Sequence, residues 1–197
     1  MLIAPISRDV LEILHRLLEP TQAQWLLGGS MGLMLRGLPC IQQPRDIDIY
    51  IDHKDSARVH EALHAFASHP PRFSETDMYE STLCHYYVLG VQVEVVCDFR
   101  VQTLSCLYQV EVAVLATYFQ EFAKLDESVN IPVIPLAHEL LFNLLRQRSD
   151  RYVLIASWIE LNPKLHVPAL TYLLHIHTWS DEILQKVNEY VNIAHRG

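Results

Sequence analysis

Cysteine is scarce in this 197-residue sequence, with four residues that form no C-x-x-C pair. Zinc knuckles and thioredoxin-like redox motifs are therefore excluded, because both use that spacing. The four residues, Cys40, Cys84, Cys97 and Cys106, have mostly hydrophobic neighbours. This pattern predicts buried, reduced thiols in a cytoplasmic protein.

Basic residues are also few, since 15 Lys and Arg stand against 23 Asp and Glu, for a formal net charge of -8. An acidic surface repels phosphate backbones, so nucleic acid is not expected as a partner. The longest apolar stretch, 131–145, contains two prolines, a His and a Glu, and is too short and too polar to span a bilayer. Pro5, Arg8 and Asp9 interrupt the first apolar residues, which predicts no signal peptide and no membrane partner.

Hydrophobic periodicity changes along the chain. Short strands are predicted at 25–27, 46–52, 82–89 and 91–99, with Gly90 as a hairpin turn between the last two. Beyond about residue 104, the segments near 110–124, 136–147, 152–161, 168–177 and 181–195 have helical spacing. We therefore expect an α+β fold, with an α/β domain at 1–104 and a helical domain at 105–197. The segment 126–135 is a possible linker.

Two carboxylates lie two positions apart on one predicted strand. Asp46 and Asp48 alternate with isoleucines, so their side chains point to the same face. Like charges held this close raise each other's pKa unless a cation binds between them. Arg45 is adjacent in sequence but points to the other face. A hard, oxygen-ligated ion such as Mg²⁺ is the simplest partner for this pair.

A third carboxylate on a neighbouring strand would complete such a site. Glu94 is the leading candidate, because it lies inside the apolar strand 91–96, where a charge without a role costs free energy. Asp98 is the alternate, since the period of two places it on the same face. Three carboxylates could hold two metal ions that activate a hydroxyl and stabilise a leaving pyrophosphate.

A glycine turn opens the helix that follows the first strand. Gly28 and Gly29 allow the backbone to approach a phosphate closely, and the helix N-terminus offers unpaired N–H groups. Ser30 adds a hydroxyl donor. The turn is therefore predicted to bind a phosphate.

Together these segments resemble the polymerase-beta-type nucleotidyltransferase superfamily, and in particular its small bacterial aminoglycoside and lincosamide nucleotidyltransferases. The matching stretches are Leu27–Ser30, Arg45–Ile49 and Val93–Val95, within roughly residues 20–100. The resemblance implies a nucleotidyltransferase-like mixed sheet flanked by helices, followed by a helical C-terminal bundle. It also implies transfer of a nucleoside monophosphate from an NTP to a hydroxyl, with Mg²⁺ or Mn²⁺ as cofactor.

The resemblance assigns roles by position. Asp46 and Asp48 would be metal ligands, and Glu94 would be the third ligand or the general base. The nucleotide-binding candidates are Gly28, Gly29, Ser30 and Arg45.

The sequence departs from the family pattern at two positions. One lies in the helix after the Ile131-Pro132-Val133 segment, and the other is the third acid. Similar proteins often carry a lysine about where Asn143 stands, and often have Asp where Glu94 stands. Arg146, Arg148 and Arg151 could supply charge to the triphosphate instead. The acceptor is left open, with a small molecule favoured, and a homodimer is considered.

Two alternatives stand beside this function. A catalytically degenerate relative would keep the fold and act as a nucleotide-binding or interaction module. The second alternative rests on His60-Glu61-Ala62-Leu63-His64, which matches the H-E-x-x-H signature of zinc metalloproteases. However, Val59, Ala62, Leu63 and Phe66 form the apolar stripe of this helix, which places the two histidines on its border.

Overall fold

A computed structural model describes residues 3–39, 43–103 and 105–191. Cys40 and the end of the predicted helix 181–195 lie outside these ranges. The helices are α1 (Pro5–Leu18), α2 (Gly29–Leu35), α3 (His53–Leu63), α4 (Val112–Tyr118), α5 (Leu136–Leu145), α6 (Ser149–Leu161), α7 (Pro163–Ile176) and α8 (Asp181–Tyr190). The strands are β1 (Trp25–Gly28), β2 (Asp46–Ile51), β3 (Arg72–Glu75), β4 (Tyr79–Val88), β5 (Val91–Gln102), β6 (Leu107–Gln109), β7 (Glu121–Lys124) and β8 (Asn130–Val133).

The strands form one mixed sheet in the order β3-β4-β5-β2-β1-β8-β7, and β6 pairs with the far end of β5. β2 runs parallel to β5 and β1 runs parallel to β8, whereas the other pairs are antiparallel. The β4–β5 hairpin turns at Leu89 and Gly90, both with positive φ. The predicted α+β fold with a mixed, helix-flanked sheet is confirmed.

Each face of the sheet has its own apolar core. The isoleucines of β2 and alternate valines of β5 pack against α1 and α3 on one face. Tyr50, Val96 and Phe99 on the other face pack against the apolar sides of α5 to α8. The alternation of side chains therefore places Asp46, Asp48 and Glu94 on the face covered by the C-terminal helices.

The prediction of a helix at 110–124 is wrong for its second half, residues 119–124. α4 ends at Tyr118, and residues 121–124 form β7, whose side chains alternate between buried and exposed. Four residues are too few for a period of two to stand out from the helical pattern before them.

The segment 126–135, considered as a linker, contains β8. This strand lies between β1 and β7, and the N–H of Ile134 donates to the carbonyl of Leu27 at 2.9 Å. The sequence did not predict this strand because it contains Pro132, and proline usually marks a loop or an edge strand. The division into domains at residue 104 stays a prediction.

In the ranges that the structure describes, every helix is too short or too polar to cross a membrane.

Candidate active site

Three carboxylates meet where β2 lies beside β5. Asp48 is directly opposite Glu94 in the parallel register, and Asp46 lies two residues before Asp48 on the same face. One oxygen from each of the three side chains lies within 4.8 Å of the others. The structure thus brings together the three acids singled out in the sequence.

Two of these acids, Asp48 and Glu94, have raised pKa values. Desolvation, followed by the charges of Asp46, Glu94 and Glu139, raises the pKa of Asp48 from 3.8 to about 7, and Arg146 opposes the rise. Desolvation also raises the pKa of Glu94, although His85 lowers it. The cluster therefore holds more negative charge than the surrounding protein compensates.

The alternate acid, Asp98, does not reach this cluster. A β-bulge interrupts β5, because Thr82 pairs with Cys97 but Glu80 pairs with Arg100. Asp98 is the extra residue, with φ +52°, and its Oδ1 accepts a 2.8 Å hydrogen bond from the N–H of His53. The expectation that Asp98 shares the face of Glu94 is wrong, because a bulge shifts the alternation of side chains.

The glycine turn packs directly on the carboxylates. Gly29 has φ +60°, and a Cβ at this position would overlap the carboxylate of Asp48. A Cβ at Gly28 would collide with the ring of Tyr50. Both glycines are therefore needed for close approach, and Ser30 follows them at the edge of the same cavity.

A fourth carboxylate, that of Glu139 on α5, accepts a hydrogen bond from this turn. Its Oε1 accepts a 2.7 Å hydrogen bond from the N–H of Gly29, and its side chain is buried. The N–H of Gly29 is thus already engaged, contrary to the expectation that the turn's N–H groups are unpaired. Asn143, one turn along α5, donates to the carbonyl of Glu139 at 2.7 Å.

The carboxylates and the turn line a cavity of about 440 Å³. Arg146, Arg148 and Arg151, from the end of α5 and the start of α6, line it too. Arg148 makes a bidentate ion pair with Asp150 at 2.9 and 2.7 Å, whereas the guanidinium of Arg146 lies 5.1 Å from the centre of the Phe142 ring. Arg45 is exposed just before β2 and is not among the residues that line the cavity.

The family model for aminoglycoside-2''-adenylyltransferase matches residues 9–142, which is more than half of the chain and includes the turn, all three acids and Glu139. The chain belongs to the aminoglycoside-2''-adenylyltransferase family. The resemblance to the nucleotidyltransferase superfamily is confirmed, and the chain is a nucleotidyltransferase of the antibiotic-adenylyltransferase type.

Solved structures share the fold of this family member. A nucleotidyltransferase-type protein of Thermotoga maritima has a TM-score of 0.65 at 23% identity, over 82% of this chain and 97% of that chain. ANT(2'')-Ia in complex with adenylyl-2''-tobramycin has a TM-score of 0.50 at 10% identity, over 82% of this chain and 95% of that chain. A comparison with curated protein sequences found no match.

Two histidines, His85 and His69, form a chain of contacts that starts at Glu94 in this adenylyltransferase-family protein. Nε2 of His85, directly opposite Glu94 on β4, is 3.6 Å from Glu94 Oε2. Its Nδ1 lies 3.0 Å from Nε2 of His69, and Nδ1 of His69 lies 2.8 Å from the carbonyl of Pro70. Because a carbonyl only accepts, His69 donates to Pro70 and accepts from His85, which leaves Nε2 of His85 facing Glu94.

The geometry gives no support to the zinc metalloprotease alternative. Nδ1 of His60 lies 2.9 Å from the hydroxyl of Tyr86, and Nδ1 of His64 lies 2.7 Å from the carbonyl of Glu61. α3 ends at Leu63, so His64 belongs to the following 3-10 turn. Within 3–39, 43–103 and 105–191, neither histidine belongs to a cluster of three metal-ligating side chains.

A second, open cavity of about 800 Å³ adjoins the first, and Thr76 and Tyr79 line both. Its acidic lining residues are Glu75, Asp77 and Glu80, and its described lining includes no Lys, Arg or His. The guanidinium of Arg100 lies 3.7 Å from Oε1 of Glu80 and partly neutralises the charge of that carboxylate. Cations are therefore favoured beside the cluster of Asp46, Asp48 and Glu94.

Proposed function

We propose that this chain transfers a nucleoside monophosphate from an NTP to a hydroxyl group of an amine-bearing small molecule, with Mg²⁺ as cofactor. One observation carries the proposal. A single cavity is lined by the acids Asp46, Asp48 and Glu94, by the Gly29 turn and by three arginines. Nucleotidyl transfer needs this combination, because it depends on holding a triphosphate and stabilising the charge that develops on its phosphates.

The donor set fits a divalent cation. Its oxygens lie within 4.8 Å of one another, and no Lys or Arg of the described residues forms an ion pair with Asp46 or Asp48. Burial, and then the negative charges of Asp46, Glu94 and Glu139, raise the pKa of Asp48 to about 7, and a bound cation would relieve this repulsion. All-oxygen ligands favour Mg²⁺ or Mn²⁺ over softer metals.

Asp46 and Asp48 would hold the ion, with Glu94 as the third ligand or the general base. When bound, the ion supplies charge neutralisation for the triphosphate and for the leaving pyrophosphate. As the general base, Glu94 accepts the proton of the acceptor hydroxyl while the hydroxyl oxygen attacks the α-phosphorus. A P–O bond forms between that oxygen and the α-phosphorus, and the bond from the α-phosphorus to the pyrophosphate oxygen breaks.

The arginines are placed to bind the pyrophosphate part of the donor. Arg146 and Arg151 both act on Glu139 electrostatically, and Arg146 acts on Asp48 as well, so both lie close to the acids. They take the place of the lysine that similar proteins carry near position 143. The backbone around Gly29 and Ser30 borders the same phosphates.

The acceptor is inferred from the second cavity. Its excess of carboxylates beside Thr76 and Tyr79 favours a molecule with several amino groups. The name of the matching family refers to aminoglycosides, and ANT(2'')-Ia was solved with adenylyl-2''-tobramycin. An aminoglycoside is therefore the first acceptor class to test, and nucleic acid is disfavoured by the net charge of -8.

The proposal is tested by pyrophosphate release. The purified chain is incubated with Mg²⁺, each of the four NTPs and a panel of aminoglycosides and neutral sugars. We expect release that requires both an NTP and an amine-bearing acceptor, with a mass gain of one nucleoside monophosphate on the acceptor. The variant Asp48→Asn should lose this activity, whereas Arg45→Gln should keep it.

The catalytically degenerate alternative predicts a different result. Mg²⁺ and an NTP would raise the melting temperature of the wild type but not of Asp48→Asn, and no acceptor would yield pyrophosphate. Equal thermal shifts in both proteins would contradict the metal site itself. A homodimer stays a prediction, which the sedimentation of the same preparation would test.

A further inference from the structure

A second cluster of metal-ligating side chains lies outside the catalytic cavity. It consists of His53, the first residue of α3, and of Cys97 and Asp98 in the middle of β5. One nitrogen, sulfur or oxygen atom from each side chain lies within 4.8 Å of the other two. None of the three residues lines the cavity that contains Asp48.

The β-bulge in β5 creates this cluster. Consecutive residues of a regular strand point to opposite faces, so Cys97 and Asp98 would normally face apart. The bulge at Asp98, with φ +52°, brings its carboxylate to the side of the Cys97 thiol. Bulges that re-aim a side chain in this way are common beside functional sites.

Hydrogen bonding explains only part of the convergence. Asp98 Oδ1 accepts from the backbone N–H of His53 and so fixes the start of α3. That bond uses neither the imidazole of His53 nor the thiol of Cys97, yet both lie within reach of the same point. The imidazole is exposed and the thiol is buried, so the cluster has an open side and a closed side.

The electrostatic surroundings favour a cation. Burial, then Asp98 and then Asp52, raise the pKa of the Cys97 thiol to about 12. Asp52 accepts hydrogen bonds from the N–H groups of Val112 and Ala113, and Asp55 pairs with Arg58. The acids around the thiol thus outnumber the nearby cation, and a divalent ion would lower the repulsion among them.

We propose that His53, Cys97 and Asp98 form a binding site for a zinc-type divalent ion. Nitrogen, sulfur and oxygen donors together suit Zn²⁺ and its analogue Co²⁺, whereas the all-oxygen set of Asp46, Asp48 and Glu94 suits Mg²⁺. Binding displaces the proton of Cys97 to solvent, because the thiolate is the ligand. Water would occupy the open side as the fourth ligand.

A bound ion would connect two parts of the fold. It would join the first turn of α3 to the middle of β5, three and four residues beyond Glu94. The role is structural, because the cluster lies outside the cavity proposed for the substrates. Since an ion that binds only the folded state stabilises it by mass action, Zn²⁺ should raise the melting temperature.

The experiment is a Co²⁺ titration of the full chain under reducing conditions, followed by absorbance. We expect a thiolate-to-cobalt charge-transfer band in the near ultraviolet that saturates at one ion per chain and disappears when Zn²⁺ is added. Asp48→Asn should keep the band, which separates this site from the catalytic one. Mg²⁺ at about 100-fold excess should not remove it.

Two ligand variants and one control decide the outcome. Cys97→Ser should abolish the band, and His53→Asn should weaken Co²⁺ binding by at least about 10-fold. Cys84→Ser removes another buried thiol and should leave the band unchanged. His53 is exposed, so His53→Asn should fold even if Cys97→Ser does not. Absence of the band in the wild type, or equal Co²⁺ binding by His53→Asn and the wild type, would overturn the proposal.

Discussion

The backbone N–H of Gly29 donates a 2.7 Å hydrogen bond to Oε1 of Glu139. This bond fixes the turn beside Asp48, although Glu139 lies on α5, 110 residues further along the chain. Glu139 is buried, and burial raises its pKa, while the Gly29 hydrogen bond and nearby arginines lower it. α5 thus supports the site as well as the core.

Replacing Glu139 should separate hydrogen bonding from charge. Glu139→Ala leaves the partly buried N–H of Gly29 without an acceptor, which should cost about 1–3 kcal/mol of unfolding free energy. Glu139→Gln keeps a carbonyl acceptor and removes a desolvated charge, so its stability should stay within about 1 kcal/mol of the wild type. Urea denaturation at pH 7.5 measures both, and equal stability of Glu139→Ala and the wild type would show that the bond is unimportant.

Gly29→Ala should strongly reduce activity by a steric effect. The positive φ of +60° and the overlap with the Asp48 carboxylate both oppose a side chain. Gly90→Ala is the matched control, because Gly90 has φ +80° but nothing within 4 Å of its added Cβ. Both variants should lose about 1 kcal/mol of stability from backbone strain. Only Gly29→Ala should also lose about 100-fold or more in kcat/KM.

The raised pKa of Asp48 predicts a pH dependence of stability in the metal-free chain. The folded-state pKa is about 7, above the ordinary 3.8, so the folded state binds more protons than the unfolded state between these values. Stability is then lost as the pH rises from about 4 to 7. Asp48→Asn removes this effect and should be more stable than the wild type by on the order of 2 kcal/mol at pH 8.

Guanidinium denaturation of both proteins at several pH values in EDTA measures this difference. The difference should shrink toward zero as the pH falls to about 3, because Asp48 is then largely neutral in both the folded and the unfolded state. Saturating Mg²⁺ at pH 8 should also reduce it, since only the wild type gains from binding. A difference that does not change with pH would contradict the assigned pKa.

Replacing an arginine of the cavity should affect the KM for the NTP more than replacing Arg45 does. Arg146→Gln removes a charge beside Asp48 and should raise the KM for the NTP about tenfold. Arg45→Gln removes the same charge from an exposed position outside the cavity and should change this KM by less than about twofold. Steady-state kinetics at fixed Mg²⁺ and acceptor measure both, and a larger effect at Arg45 would restore its predicted role in nucleotide binding.

The local patterns of the sequence predicted the β2 acids and the glycine turn because each depends on one element. A period of two places Asp46 and Asp48 on one face whatever the rest of the chain does. Glu94 was found in the same way, and its meeting with Asp48 follows from the parallel pairing of β2 and β5. The strand continues regularly as far as Cys97, and the prediction for Asp98 failed one residue later, at the bulge.

Features that depend on contacts between distant segments were not predicted. β7 and β8 are four residues each, and their places depend on pairing, since β8 pairs with β1 and β7 pairs with β8. Glu139 carried one usable signal, since a carboxylate within the apolar stretch 131–145 must be satisfied by a buried donor or cation. The position of that donor, Gly29, could not be inferred from spacing.

The acidic cavity should control the affinity for a cationic acceptor. The double variant Glu75→Gln/Asp77→Asn removes two exposed carboxylates beside the cavity that contains Asp48. It should raise the KM of an amine-bearing acceptor about fivefold, with kcat and the KM for the NTP unchanged. Added salt should raise the acceptor KM of the wild type more than that of the variant, because screening weakens charges that the variant lacks. The matched control is Asp9→Asn/Glu127→Gln, which removes two exposed carboxylates that line neither cavity. Equal rises of the acceptor KM in both double variants would mean that net charge, rather than this cavity, attracts the acceptor.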